Sequence, residues 1–387
     1  MEDTGGGFEA VPVREAEAKM TLTAFGVTDT GPCAAFLKRQ GIEFTWRRIG
    51  IDALGAMAHG LFASLLIGTI MNTLGTQLGI PFLNRIGGFA VAGTGAAMAF
   101  SIGFALKAPP FVLYSLVAVG QAANALGGSG GPLAVYFITL IAVFFGKLVS
   151  KITPVDLIVA PSVTISVGIT AAYLLAPPVG RIASSFGIAI MWATEMQPLV
   201  MGILISGIIG IVLTLPISSA AICAALGLVG LAGGAAVAGC CAHMVGFAVA
   251  SWRENEIGGL LAQGLGTSML QIPNLMKKPI LWLPAVAASL VNGPVATVVF
   301  ELKQNGPPIA SGMGTSGMVG PIGVITGWFA PSEAAAAAGE AAIVPSLFDW
   351  SGLLMTAVVI PAVVAWLVSE WMRGKELIKD RDLWIEC

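Results

Sequence analysis

One carboxylate stands alone in a long apolar stretch of this sequence. Between Ile182 and Trp252 the only Asp, Glu, Lys or Arg is Glu195, and its neighbours are mostly apolar, small or hydroxyl-bearing. An acid at membrane depth is costly, and it usually faces a bundle interior or a water-filled cavity. Glu195 could accept hydrogen bonds from the hydroxyls of a solute, or it could bind and release a coupling proton. A structural acid that is protonated or caps a half-helix is the alternative interpretation.

The residues that follow this acid predict a break in the helix. Gln197 adds a neutral hydrogen-bonding group, and Pro198 has no backbone N–H to donate. Irregular backbone is tolerated at membrane depth only where it is buried in protein or lines a cavity. We therefore expect two helical pieces to meet near Glu195, at a transport site.

Two further segments carry hydroxyls, amides and closely spaced glycines. Gly264–Asn274 has the groups that suit a neutral polyhydroxylated ligand, although close helix packing explains its small residues equally well. In Ser311–Gly317, successive small residues leave backbone N–H groups free to hold an anion or a sugar oxygen. Loop flexibility is the competing explanation. No lysine stands where a phosphate-binding P-loop needs it.

His243 follows the adjacent cysteines Cys240 and Cys241. Thiols and an imidazole suggest a metal, but neighbouring cysteines on a helix cannot readily face one ion. We therefore expect a lining or packing histidine, with neither metal nor cofactor. The complete set of predicted solute-binding residues is Glu195, Gln197, Gln263, Thr267, Ser268, Gln271, Asn274, Thr315, Ser316 and His243.

The composition is that of a membrane protein. Of 387 residues, 56% are hydrophobic and 10% are charged, whereas soluble domains have about a quarter charged residues. Several apolar runs approach the ~20 residues that a helix needs to cross a bilayer. We therefore predict an all-α polytopic membrane protein, and the net charge of −2 gives no sign of nucleic-acid binding.

About ten membrane spans follow from the apolar runs. They are Gly50–Leu74, Ile86–Leu106, Phe111–Leu126, Pro132–Val149, Asp156–Ala176, Leu199–Leu215, Ile217–Ala232, Gly234–Ala250, Ile280–Phe300 and Leu347–Glu370. With this threading most basic residues fall on one side, which places both termini in the cytoplasm.

This threading requires that three apolar segments do not cross the membrane, namely Ile182–Ala193, Gly258–Ile272 and Ile309–Phe329. We interpret them as two or three re-entrant or half-helix segments, because such interrupted segments often form the binding site of a transporter. The predicted organisation is a disordered cytoplasmic tail (1–32), an amphipathic cytoplasmic helix (33–49), a transmembrane domain (50–370) and a second cytoplasmic tail (371–387).

With these motifs assembled, the chain resembles the EIIC-type membrane permease family of the bacterial phosphotransferase system. More narrowly, it is similar to the EIIC-like branch that includes the perfringolysin O regulator. The segments that carry the resemblance are Lys147–Ile165, Met191–Pro198, Leu213–Ile222, Gly239–Ala248, Gly264–Asn274 and Gly312–Gly323.

The resemblance implies a homodimer in the bacterial cytoplasmic membrane that recognises a sugar or sugar-like solute and passes it inward by alternating access. In sugar-specific relatives a glutamate in a Thr-Glu-Pro context contacts the sugar. Thr194 and Glu195 match part of that motif, but Met196 and Gln197 precede Pro198. Phosphorylation of the solute would need separate IIA and IIB subunits, since nothing in this sequence matches those domains.

Three functions stay open at this point. The first is an EIIC-type sugar permease, and the second is a proton-coupled transporter of a small polar solute in which Glu195 carries the proton. The third is a membrane sensor or regulator that binds a solute without phosphorylating it.

Overall fold

The computed structural model describes residues 36–37, 39–42 and 45–385, so the predicted tail 1–32 lies outside the described residues. The described part is helical, and its only bridge pairing joins Gly230 to Gln304. By length and composition, six helical stretches of this part could cross a membrane when Pro110–Val149 is counted as one, or up to seven if one bent pair is a single span. The all-α polytopic membrane fold predicted from the sequence is confirmed.

The α-helices are numbered here in chain order. They are α1 (Arg47–Gln77), α2 (Pro81–Ala92), α3 (Thr94–Ala105), α4 (Pro110–Gly127), α5 (Gly131–Val149), α6 (Asp156–Thr194), α7 (Pro198–Thr214), α8 (Ser219–Ala225), α9 (Gly230–Ala250), α10 (Trp252–Leu261), α11 (Ile272–Lys277), α12 (Pro279–Val299), α13 (Val319–Phe329), α14 (Glu333–Ala337) and α15 (Leu347–Gly374).

The first bundle is formed by α1 and α3–α6. Its centre is a helical hairpin, because Gly131 of α5 packs on Asn124 of α4 while Gly146, at the other end of α5, packs on Val112. Each arm is about 27 Å long at 1.5 Å per residue, close to the thickness of a bilayer core. Helix α6 returns beside both arms and continues past the turn of the hairpin.

The second bundle consists of α7, α9, α12 and α15. The side-chain amide of Asn292 in α12 donates to Ala238 O in α9 at 2.8 Å and to Thr356 O in α15 at 2.7 Å. Asn292 is fully buried, so both bonds form where no water competes. This amide therefore links three helices of the bundle.

Small residues let α7 and α9 approach closely. A Cβ added to Gly239 would lie 2.2 Å from Ser206 O, which is backbone and cannot yield without moving the helix. We expect Gly239→Ala to destabilise the chain by about 1–3 kcal/mol through overpacking, measured as a lower melting temperature in detergent. In Gly258→Ala the added Cβ meets nothing within 4 Å. Equal melting of the two variants would contradict this account.

Two of the predicted segments differ from the structure. The predicted span Ile217–Ala232 is instead the short helix α8 between irregular segments, because Pro216 cannot continue α7 and Gly227 and Gly230 adopt positive φ. The predicted half-helix Ile182–Ala193 is the continuous end of α6. The other nine predicted spans correspond to helices, although the second is bent by 46° between α2 and α3.

The remaining two non-crossing segments are broken into short pieces, none of which is long enough to span. The first contains α10, the π-helical turn Ala262–Gly266, the 3-10 turn Ser268–Gln271 and α11. The second contains the 3-10 turns Pro308–Gly312 and Ser316–Met318, followed by α13. These are the two segments in which the sequence concentrates hydroxyls and amides.

Both predicted cytoplasmic ends differ from expectation where they are described. A turn at Gln40–Gly41 interrupts the predicted amphipathic helix, and its last basic residues already belong to α1. At the other end, the 375–385 segment folds back onto the protein after α15. Its side chains Ile378, Leu383 and Ile385 are buried, so this part of the predicted tail is packed.

Candidate functional site

Three amide side chains form a continuous buried network between the bundles. Gln263 Nε2 donates to Ser251 Oγ at 2.8 Å, and Gln271 Nε2 donates to Gln263 Oε1 at 2.9 Å. Asn274 Nδ2 donates to Gln271 Oε1 at 2.9 Å. Gln263 and Gln271 are fully buried and Asn274 is 6% exposed. Such a network holds the broken 262–277 segment in one conformation, because each unpaired buried amide would be costly.

A second chain of polar groups runs from the same segment into the second bundle. Ser268 Oγ lies 2.8 Å from Thr214 Oγ1, which lies 2.9 Å from His243 Nδ1. Nε2 of His243 has no hydrogen-bond partner among the described residues and lies against Gly210. The imidazole ring makes T-shaped contacts with the rings of Phe247 and Trp282. This buried imidazole therefore retains one hydrogen-bonding atom that the protein does not use.

The two broken segments meet at Thr315. Its hydroxyl donates to Gly264 O, and Ser316 is buried beside it. Thr267 is also buried, and its side chain accepts from Met269 N at 3.2 Å. We call these groups together the polar layer, which consists of Thr214, His243, Gln263, Thr267, Ser268, Gln271, Asn274, Thr315 and Ser316.

A cavity of about 1260 Å³ opens beside the polar layer, and we call it the vestibule. Its walls come from the start of α1, the end of α3, residues 270–277 and the 375–385 segment. Its charged or amide-bearing lining residues are Arg47, Asp52, Asn274, Lys277 and Arg381, and its aromatic lining residues include Trp384. The vestibule thus combines apolar area with a few polar groups, as small-molecule sites do.

The 375–385 segment closes one side of this region. Its backbone carbonyls at Leu383 and Trp384 accept from Gln271 Nε2 at 2.9 Å and Asn274 Nδ2 at 2.7 Å. Lys278 forms a 2.7 Å ion pair with Asp382. Partial burial raises the pKa of the Asp382 carboxyl. Hydrogen bonds from Lys278 and from the Lys379 backbone together lower it by more, so the pKa lies below its ordinary value. The ion pair therefore persists at neutral pH and is lost only when the pH falls through that lowered pKa.

The structure does not bring Glu195 and Gln197 into the polar layer. Both are exposed on the surface of the chain, at the predicted break between α6 and α7. Thr214, at the far end of α7, lies about 24 Å from Pro198 at 1.5 Å per residue. The distance between Glu195 and Thr214 is thus close to the thickness of a bilayer core. The other eight predicted solute-binding residues all lie in the polar layer.

Sequence reasoning did not select several residues that build this region. Thr214 joins Ser268 to His243, Ser251 accepts from Gln263, and Asn255 donates to Leu383 O at 2.8 Å. Thr214 could have been suggested by its place one residue before the Leu-Pro that ends α7. The other two lie at and beyond the end of an apolar run, where polar residues are common. Within the described residues no group of three or more His, Cys, Asp or Glu is placed to hold a metal ion.

Comparison with known proteins gives one match. A family model described as "Phosphotransferase system, EIIC" matches residues 51–385. No curated protein and no solved structure matches the chain significantly.

Proposed function

Because the chain belongs to the phosphotransferase system EIIC family, we propose that this multi-pass membrane permease recognises a sugar or sugar-like solute in the polar layer. The solute then passes between the polar layer and the vestibule by alternating access. The supporting observation is the position of the broken 262–277 segment. One side of it lines the vestibule, and on its other side Ser268 bonds to Thr214, which in turn bonds to His243.

The chemistry of the polar layer suits a neutral hydroxylated solute. Its side chains are amides, hydroxyls and one imidazole, which can each donate to or accept from a sugar hydroxyl. The layer contains no Asp, Glu, Lys or Arg. A charged solute would therefore be bound there without a counter-charge, at a high desolvation cost.

Glu195 and Gln197 have a separate role in this proposal. Their distance from Thr214 along α7 prevents one small solute from contacting both places in this conformation. We assign them to another stage of the solute's passage, at the opposite end of α7. Under this assignment Glu195→Gln slows flux and leaves the affinity of the polar layer unchanged.

The proposed orientation places the vestibule in the cytoplasm of a bacterial cell. Lys147 donates to Gly41 O and Leu106 O at one end of the first bundle, and Arg47, Lys277 and Arg381 line the vestibule. Basic residues cluster on the cytoplasmic side of membrane proteins. Separate IIA and IIB subunits would then reach the solute from this side. The homodimer implied by the family resemblance stays a prediction.

Solute uptake by proteoliposomes tests the proposal. We expect the purified full chain to take up at least one of a panel of ¹⁴C-labelled hexoses, pentoses and hexitols. We expect Ser268→Ala to weaken its apparent affinity by about two- to tenfold, because one neutral hydrogen bond is worth about 0.5–1.5 kcal/mol.

Ser351→Ala is the matched control, since this exposed hydroxyl bonds only to Phe348 O within its own helix. Uptake with unchanged affinity in Ser268→Ala would remove the polar layer from the proposal. Uptake that needs added phosphocarrier proteins would favour coupling to phosphorylation, whereas uptake that collapses with the proton gradient would favour a proton-coupled transporter.

A further inference from the structure

The 375–385 segment is attached to the protein more firmly than a loose tail. Leu383 is fully buried in an apolar cluster that also contains Phe247 and Leu275, and Ile378 of the same cluster is 4% exposed. Ile385 N donates to Asn255 Oδ1 at 2.9 Å. Apolar burial and backbone hydrogen bonds therefore both hold the segment in place.

The hydrogen bonds of this segment involve the polar layer itself. Gln271 and Asn274 each use an amide N–H group to bind a backbone carbonyl of the segment. A carbonyl oxygen and a sugar hydroxyl oxygen are equivalent acceptors for such a donor. While the segment is bound, these N–H groups are not free for a solute.

The segment also forms part of the vestibule wall. Arg381, Trp384 and Ile385 form part of the cavity wall next to Asn274 and Pro273. Leu270 lines the vestibule and lies in the same 3-10 turn as Ser268 and Gln271. Displacing the segment would free the amide donors and remove part of the vestibule wall beside this turn.

From these contacts we infer that the 375–385 segment is an autoinhibitory strap, which occupies the amide donors of Gln271 and Asn274 and closes the path from the vestibule to the polar layer. The inference rests on the proposed function in treating this layer as the solute site. The strap must leave its position before a solute can bind Gln271 and Asn274. Its ion pair and carbonyl contacts can all be replaced by water or solute, which makes the release reversible.

Thiol labelling tests the strap without any solute. The labelling rate of the Ile385→Cys thiol reports release of the strap. The labelling rate of the Ser268→Cys thiol reports access to the polar layer. Both variants are made in the full chain with Cys33→Ser and Cys387→Ser, since the other three cysteines are buried. The probe is a charged methanethiosulfonate, applied to protein in nanodiscs, with the modified site identified by mass spectrometry.

Leu383→Ala removes the main apolar anchor of the strap. We expect it to raise the labelling rate of both reporters by about thirtyfold or more, as loss of a fully buried leucine side chain implies. Leu347→Ala is the matched control, because Leu347 is 86% exposed. If the reporter thiol at position 385 becomes reactive while the one at position 268 stays protected, the strap covers nothing and the inference is overturned. If neither rate changes, the segment is not held as described and the inference fails as well.

Cross-linking the strap to the protein is expected to lower the labelling rate at position 268. A zero-length carbodiimide can join Lys278 to Asp382, whose charged atoms lie 2.7 Å apart, and we expect the cross-linked protein to lose labelling at position 268. Asp382→Asn cannot form this link, so the reagent should leave its labelling unchanged. If Ser268→Cys does not fold, Thr267→Cys replaces it as the reporter. Because no solute is used, failure of this test is distinct from absence of uptake in proteoliposomes.

Discussion

Replacing Gln271 with leucine is expected to lower the melting temperature of the full chain in detergent by about 2–5 °C. The change leaves Gln263 Oε1 without its partner and removes one bond each from Asn274 Nδ2 and Leu383 O. A buried polar group without a partner costs about 1–3 kcal/mol, so the total loss is about 2–4 kcal/mol. The same variant should lose solute binding, since its amide faces both the strap and the polar layer.

Gln77→Leu is the matched control for this prediction. Gln77 is exposed at the end of α1, so the same chemical change there removes no buried hydrogen bond. Differential scanning fluorimetry of both variants gives the comparison. Similar melting temperatures for the two would show that the amide network does not stabilise the 262–277 segment.

The membrane spans were predictable because they depend on local composition. A run of about 20 apolar residues can satisfy its backbone in a bilayer only as a helix, and α4, α5, α12 and α15 begin and end close to their predicted residues. The wrong span, Ile217–Ala232, contains Gly227 and Gly230, whose positive φ interrupts the helix without changing the hydropathy. Hydropathy alone cannot detect such a break.

The candidate site was predictable in part for a different reason. Hydroxyls and amides within an apolar segment need partners, so their clustering in Gly264–Asn274 is by itself a sign of a buried network. The identity of the partners was not predictable. Leu383 and Trp384 contribute backbone carbonyls from more than 100 residues away, and a backbone carbonyl has no sequence signature.

Glu195 shows the limit of reasoning from cost alone. Its isolation among apolar residues indicated an acid that faces a bundle interior or a water-filled cavity, and the structure places it exposed at the break between α6 and α7. Glu195 lies outside the polar layer because it precedes the start of α7, whereas Thr214 lies at the other end of that helix. The same break was correctly predicted from Pro198, because a missing backbone donor is a local property.

A buried ion pair joins the end of α15 to α10. Arg373 at the end of α15 contacts Glu254 at 2.8 Å and also donates to Ala250 O at 3.0 Å. The two side chains are 9% and 5% exposed. One turn away, Arg253 pairs with Glu370 at 2.6 Å, but those side chains are 61% and 31% exposed. The chain therefore offers a buried and an exposed pair between the same two helices.

Arg373→Met is expected to destabilise the chain by about 3–5 kcal/mol, because it leaves the Glu254 carboxylate buried without its counter-charge. Arg253→Met should cost only about 0–1 kcal/mol, as expected for an exposed pair. The double variant Arg373→Met/Glu254→Met should recover most of the loss, since it removes both charges from the buried position. Melting temperatures in detergent distinguish these cases. A double variant no more stable than Arg373→Met would show that hydrogen bonding to Ala250 O, and not charge pairing, holds α15 to α9.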